Sequence, residues 1–410
     1  METKQMSLTN EEVLRKAAIS AADALAAGPG KLNPEQSERF LDYVFDETSM
    51  VKWARTVRFR NEQKYIEKIN IGRRAAVAAT EGVDPGVRRG VGFNRVVLEP
   101  KEAIVPIAIT DTFLEHNVEG KSATTHILQM FAKQLANDWE LLSIHGNVDG
   151  PLADMAELGL GDDATMFLID TYMSLFDGWL KQCESAYIVD HAGQALSPSL
   201  FRKMLSAMPS KFKKNKKLLR FYCAIEVEEV WRERVATRAT ALGDQASQSQ
   251  NNLTPFGIEL VPVALMQLNP EQVLVAQFSA PDATIQLPHT PILEGSVRII
   301  LESDAQGKVP SHSYEEGVDF TVDPANGTVT HLSGGDIPAT TDLRIGYQSL
   351  PEILLTNDAN LIVAIGRDIS IEKARNIYSR QDLYAIHVKF DAKIEELTAV
   401  VKAKNIADTL

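Results

Sequence analysis

Residues 54–110 constrain the fold more than any other part of the chain. Arg55, Val57 and Phe59 open a strand that continues through Tyr65, Ile66, Ile69 and Ile71, with Arg58, Arg60, Glu62, Lys64, Glu67 and Lys68 breaking its apolar character. Val96, Val97, Leu98, Ile104, Val105, Ile107 and Ile109 form the return. Between them runs a Gly-, Ala- and Arg-rich tip, with a turn at Asp84-Pro85-Gly86. A two-stranded ribbon has no second layer to cover its apolar face and is marginal in water. The stretch must therefore pack on something else. Its neighbours in sequence offer no lid, so another copy of the chain is the expected cover.

The flanks are helical. Thr9-Asn10-Glu11-Glu12 reads as a capping box, Gly28-Pro29-Gly30 as a stop, and Asn33-Pro34 as the start of a second helix. After the ribbon comes the clearest helix, about Ala123 to His145. Ile127, Leu128, Phe131, Leu135, Trp139 and Leu142 fall on one stripe, while Gln129, Lys133, Asn137 and Glu140 fall opposite. A shorter helix is expected over Met166, Phe167, Tyr172, Leu175, Phe176 and Trp179.

From Leu196 the pattern is mixed. A helix near Ser199 to Met208 precedes the basic run Lys211-Phe212-Lys213-Lys214-Asn215-Lys216-Lys217. A strand at Leu218 to Ala224, a helix from Glu226 and a polar loop at residues 243–252 follow. Phe256 to Val263 reads as a strand with Leu361 to Ile365 as its register partner, and Tyr384 to Phe390 as a later strand. Residues 283–349 are β in pattern, with a hairpin signal at Asn326-Gly327, and read as a small β-sandwich inserted in a host domain. In it Asp319, Thr321 and Asp323 are expected on the outer face of one strand.

Composition excludes several classes of function. The chain has 410 residues, 42 basic against 55 acidic side chains, a net charge of −13 and 44% hydrophobic residues, so a folded core is expected and general nucleic-acid coating is not. Two cysteines, Cys183 and Cys223, are too few for a disulfide scaffold or a thiolate zinc site. No secretory signal or membrane span is expected. The eight histidines show no paired metal spacing. Gly161-Asp162-Asp163 reads as a turn, and Gly90-Val91-Gly92 lacks the helix a phosphate cradle needs. The lysine run reads as a solvated loop. Residues 69–100 contain no lysine but carry Arg73, Arg74, Arg88 and Arg89 at the tip, side chains that suit either docking on acidic patches of neighbours or plain solvation.

The order of helical arm, long β-ribbon, long helix, mixed domain and closing strand resembles the major capsid protein of tailed bacteriophages, with the Hong Kong phage fold. Phe256 to Val263 and Asn360 to Gly366 are particular echoes. The resemblance implies an α+β fold with an N-terminal arm (1–50), an extended loop (51–110), a peripheral domain (111–195 and 369–410) with its spine helix, an axial domain (196–282 and 350–368), and an inserted immunoglobulin-like β-sandwich (283–349). It further implies pentamers and hexamers of the chain itself, closed as an icosahedral shell around double-stranded DNA in the virion. Scaffolding, portal and cement proteins are possible partners, and assembly would take place in the host bacterial cytoplasm. No catalytic, cofactor or metal residue is implied. Without a lysine at the loop tip, the shell is expected to be held non-covalently. Two alternatives are an encapsulin-like nanocompartment shell and a soluble enzyme with a cleft by Asp162 and Asp163.

Overall fold

A computed structural model describes residues 50–59, 63–70, 76, 92–111, 123–160, 163, 165–237, 253–306, 311–338, 340–366 and 370–407. The apolar stripe produces α1 (Ala123–His145), 23 residues and about 34 Å long. Leu135, Trp139 and Leu142 are buried and Ile127 and Phe131 half-buried, all facing a mixed sheet. In that sheet β1 (Arg55–Phe59) runs parallel to β18 (Leu361–Gly366), which is antiparallel to β20 (Gln381–Ile394). Further along, β20 is flanked by β19 (Ser370–Asn376) and β4 (Lys101–Thr110). The Trp139 and Phe390 rings lie 5.3 Å apart, and Phe176 meets Phe390 edge-on at 5.9 Å, locking helix to sheet.

A second sheet has the order β7 (Ile188–Ala195), β21 (Val401–Ala407), β17 (Ile353–Asn357), β8 (Leu219–Cys223), β9 (Glu259–Pro262). The helices α2 (Pro198–Ala207) and α3 (Ile225–Ala236) connect β7 to β8 and β8 to β9, and Phe201 joins them by edge contacts to Phe221 and Trp231, each at 4.9 Å. A small sheet holds β5 (Leu152–Asp154), β6 (Met166–Ile169) and β13 (Ser311–His312). The inserted region forms two three-stranded sheets: β10 (Glu271–Ala276), β16 (Leu343–Gln348) and β12 (Arg298–Leu301); and β11 (Thr284–Gln286), β15 (Thr328–His331) and β14 (Phe320–Asp323). Ile285, Ile299, Phe320, Val329, Leu343 and Ile345 from both sheets share one cluster. Among the described residues these two sheets hold six strands, against the seven of a constant-type immunoglobulin domain.

Several expectations change. Not all of the apolar pattern belongs to the excursion: among the described residues β2 (Lys64–Asn70) and β3 (Gly92–Leu98) form a two-stranded ribbon, while β1 and β4 are strands of the body's own sheet. The stretch expected as a helix from Met166 is β6 followed by turns. Asp170 Oδ1 accepts from the backbone N–H of Tyr172 at 2.9 Å and Met173 at 3.1 Å, so the chain turns instead of winding on. Leu361 to Ile365 does not pair with the Phe256 segment: β9 starts only at Glu259, after Phe256 (φ 55°) and Gly257 (φ 77°) have turned the chain, and it pairs with β8.

The inserted region is not purely β, since it holds α4 (Glu302–Gln306), and its first strand, β10, precedes residue 283. Asp319 points inward rather than outward, because it accepts from the backbone N–H of Glu315 at 2.8 Å and of Asp336 at 2.7 Å in the turn before β14. Strand pairing also crosses the expected domain division. β7 and β21 belong to the sheet of β8 and β9, and β18 to that of β1 and β20.

Candidate assembly surface

The ribbon has two unlike faces. On the inner one, half-buried Ile66 and Val96 and buried Leu98 pack with Val57, Phe59, Ile362 and Ala364. These residues cover the outer side of β18, whose Leu361, Val363 and Ile365 face the core beneath α1. A strand apolar on both faces needs cover on both, and the base of the ribbon supplies one of them. Lys68 adds an ion pair to Glu396 at 3.5 Å. On the outer face Tyr65 is 49% exposed and Phe93 72%, with Glu67 and Arg95 between them. The Arg95 guanidinium sits 5.1 Å from the Tyr65 ring. The chain thus shelters much of a stretch expected to rely on a second copy, and leaves this outer face uncovered. Arg73, Arg74, Arg88 and Arg89 lie outside the described residues.

The chain enters the core at Met50 and Val51, both buried. The Met50 N–H donates to Glu140 Oε1 at 2.5 Å. Glu140 therefore does not join Lys133 on the outer side of α1; it is 1% exposed, and this charge-assisted bond offsets its burial. Sequence spacing could not reveal it, because the partner is a main-chain group ninety positions away.

The inserted region is clamped to the body. Arg344, 4% exposed, donates Nε and Nη2 to the two carboxylate oxygens of Glu302 at 2.7 and 2.8 Å. Its Nη1 donates to the carbonyls of Asp149 and Gly150, just beyond α1. Burial raises the Glu302 carboxyl, but the Arg344 and Gln306 hydrogen bonds together with the Arg344 charge outweigh it and hold the group below its ordinary value. Strand pairing of β13 with β6, and contact of Leu152, Phe167 and Ile169 with Ile300, complete the junction.

The histidines do not converge. His145 Nε2 accepts from the Gln267 N–H at 2.9 Å, and burial with the nearby Lys402 charge lowers its pKa to about 3. His289, 2.9 Å from the Tyr347 hydroxyl, is held at about 3 by burial and the Lys402 and Lys404 charges. His312 meets Thr165 and His387 meets Glu102 at the surface, while His191 and His331 are buried apart. His116 and the side chain of His126 lie outside the described residues. So does Asp162; Asp163 only closes a turn, accepting from Thr165 N–H and Oγ1–H at 2.9 and 2.6 Å. Burial pushes the Cys183 thiol up to about 12 and that of Cys223 higher, the opposite of a reactive thiolate. Among the described residues no group of His, Cys, Asp or Glu is placed to hold a metal ion. No helix among them is long and apolar enough to cross a membrane. An open groove of about 430 Å³ over β4, β19 and β20 is lined by Pro106, Ala108, Leu383 and Ala385 beside Glu372 and Lys373, without a catalytic grouping. Among the described residues the geometry offers surfaces for contact and no assembled catalytic group.

Comparison with known proteins agrees. The chain is 26% identical over 403 residues to "Putative prophage capsid protein YqbE" of Bacillus subtilis (strain 168), covering 98% of this chain and the whole of that protein. Among solved structures it superposes on a chain of the satellite phage P4 procapsid including the size determination (Sid) protein, with a TM-score of 0.52, 11% identity, and coverage of 97% of this chain and 98% of that one. The fold is that of a phage major capsid protein. The holo-SrpI encapsulin complex from Synechococcus elongatus PCC 7942 superposes with a TM-score of 0.46 and 9% identity over 88% of each chain. No family model matches the chain. Within the capsid fold, α1 is the spine beneath the sheet of β18 and β20, and the ribbon springs from that sheet's edge.

Proposed function

We propose that this chain is the major capsid protein of a tailed phage or prophage: a shell-building subunit with no catalytic role. The single observation that carries the reading is the end-to-end likeness to a prophage capsid protein. Copies assemble into pentamers and hexamers and close as an icosahedral head around double-stranded DNA, inside the host bacterial cytoplasm. Closed symmetry lets individually weak contacts add up to a stable shell. The uncovered face of the ribbon, with Phe93 and Tyr65, supports contact with a neighbouring copy, and the arginines of the loop tip would dock on that neighbour's acidic patches. The inserted unit is a β-sandwich carried on the shell. Scaffolding, portal and cement proteins are the further partners of this reading.

Sedimentation and negative-stain imaging of the expressed chain test it. Rings or megadalton particles are expected, and a stable monomer with a closed pocket, unchanged when a scaffolding protein is co-expressed, overturns the reading. Nucleic acid inside purified particles separates a phage head from a nanocompartment built around an enzyme. With no lysine in residues 69–100, the shell is held non-covalently. Boiled particles should run as single chains, and detergent-resistant ladders would contradict this.

A further inference from the structure

The basic run Lys211 to Lys217 lies apart from the ribbon and from the junction of the inserted unit. It forms two consecutive 3-10 turns, Phe212–Lys214 and Lys216–Leu218, between the end of α2 and the start of β8. The loop is held in place from below. Lys213 Nζ donates to the Leu205 carbonyl in the last turns of α2 at 2.8 Å, and Phe212 packs at the edge of the cluster under α2 and α3. Lys211 Nζ lies 4.5 Å over the Phe212 ring. Lys214, Lys216 and Lys217 are exposed, and among the described residues none of the three is in an ion pair. A chain of net charge −13 thus gathers five lysines within seven positions on a fixed platform and leaves three of them without a counter-charge.

We infer that this loop is a contact for the phosphodiester backbone of nucleic acid, read by charge and not by sequence. Charge density favours that partner over a second copy of the chain. At about 2 Å rise per residue the run spans about 12 Å, and duplex DNA carries one negative charge per about 1.7 Å of its axis. In this chain no seven-residue window holds more than three acidic residues, so no single segment of a sister molecule matches five lysines in seven positions. Lysine suits the task, because a compact point charge on a flexible stem follows a backbone without demanding one geometry. On an otherwise acidic subunit such a loop makes contact local: phosphates are held at the lysines and repelled elsewhere. The inference rests on the shell reading for its biological setting but not for its test.

The test is fluorescence anisotropy of the full chain with a short duplex of random sequence, titrated from about 50 to about 200 mM salt. Lys214→Gln, Lys216→Gln and Lys217→Gln combined should lower the slope of log affinity against log salt by about 3 and weaken binding about a hundredfold near 0.1 M salt. The three side chains are exposed, so the variant's thermal midpoint should equal the wild type's. Lys373→Gln with Lys389→Gln, remote from the loop, should leave the slope unchanged. An unchanged slope in the triple variant, or an equal loss in the remote pair, overturns the assignment. So does tighter binding to polyglutamate than to DNA, which would make an acidic protein the partner. Particle formation is scored separately. Shells with no loop-dependent slope refute the inference and leave the shell reading standing; a loop-dependent slope in a chain that never assembles does the reverse.

Discussion

Glu271 opens β10 half-buried, and burial, followed by the charges of Glu157 and Asp170, pushes its carboxyl up to about 8 against an ordinary 4.5. A carboxyl raised in the folded chain contributes most below its ordinary value, and that contribution is lost as the pH rises toward 8. Glu271→Gln should therefore raise stability at about pH 8 by about 1–2 kcal/mol, with little effect at about pH 5. Denaturant melts at the two pH values check this; an equal effect at both would rule out the charged carboxylate as the cause. Single residues were also where sequence reasoning was weakest. Glu140 and Asp319 are acidic residues that pattern alone assigns to solvent. Glu140 is buried because a main-chain N–H ninety positions away comes to meet it, and Asp319 because the Asp336 N–H joins the nearby Glu315 N–H on its carboxylate; alternation of polar and apolar residues encodes neither meeting.

Among the elements, α1 was legible to the residue because an amphipathic stripe is a local property. The ribbon was legible only in part. Alternation in β1, β4, β2 and β3 looks alike in sequence, yet the first two complete the body's sheet and the last two stand apart. This difference sets a prediction. Leu98→Ala, on the sheltered face, should lower subunit stability by about 2–4 kcal/mol in denaturant melts. Phe93→Ser, on the open face, should leave the melt within about 0.5 kcal/mol and reduce particle yield by sedimentation. If Phe93→Ser melts like Leu98→Ala, the outer face is already covered by the chain itself.

For the whole molecule, the coupling between the inserted unit and the body lies at Arg344. Its removal strands the Glu302 carboxylate and two carbonyls, so Arg344→Ala should cost about 3–5 kcal/mol. In calorimetry it should split one transition into two, and a single unchanged transition would deny the clamp its role. Because Glu302 is held below its ordinary value in the folded chain, its contribution is present above pH 4.5 and lost as the pH falls below that value. Acid should therefore loosen the wild-type junction and affect Arg344→Ala less, as read by limited proteolysis across the pH range. The sequence by itself determined the spine helix, most of the strands around it and the largely β character of the insert, since each follows from local periodicity, composition or residue type. Tertiary structure alone decided that β18 is covered on both faces, that β7 and β21 join the sheet of β8, and which face of the ribbon stays open. Those outcomes depend on pairings between segments far apart in the chain, where several apolar strands compete for the same partners and only the closing of a common core selects among them.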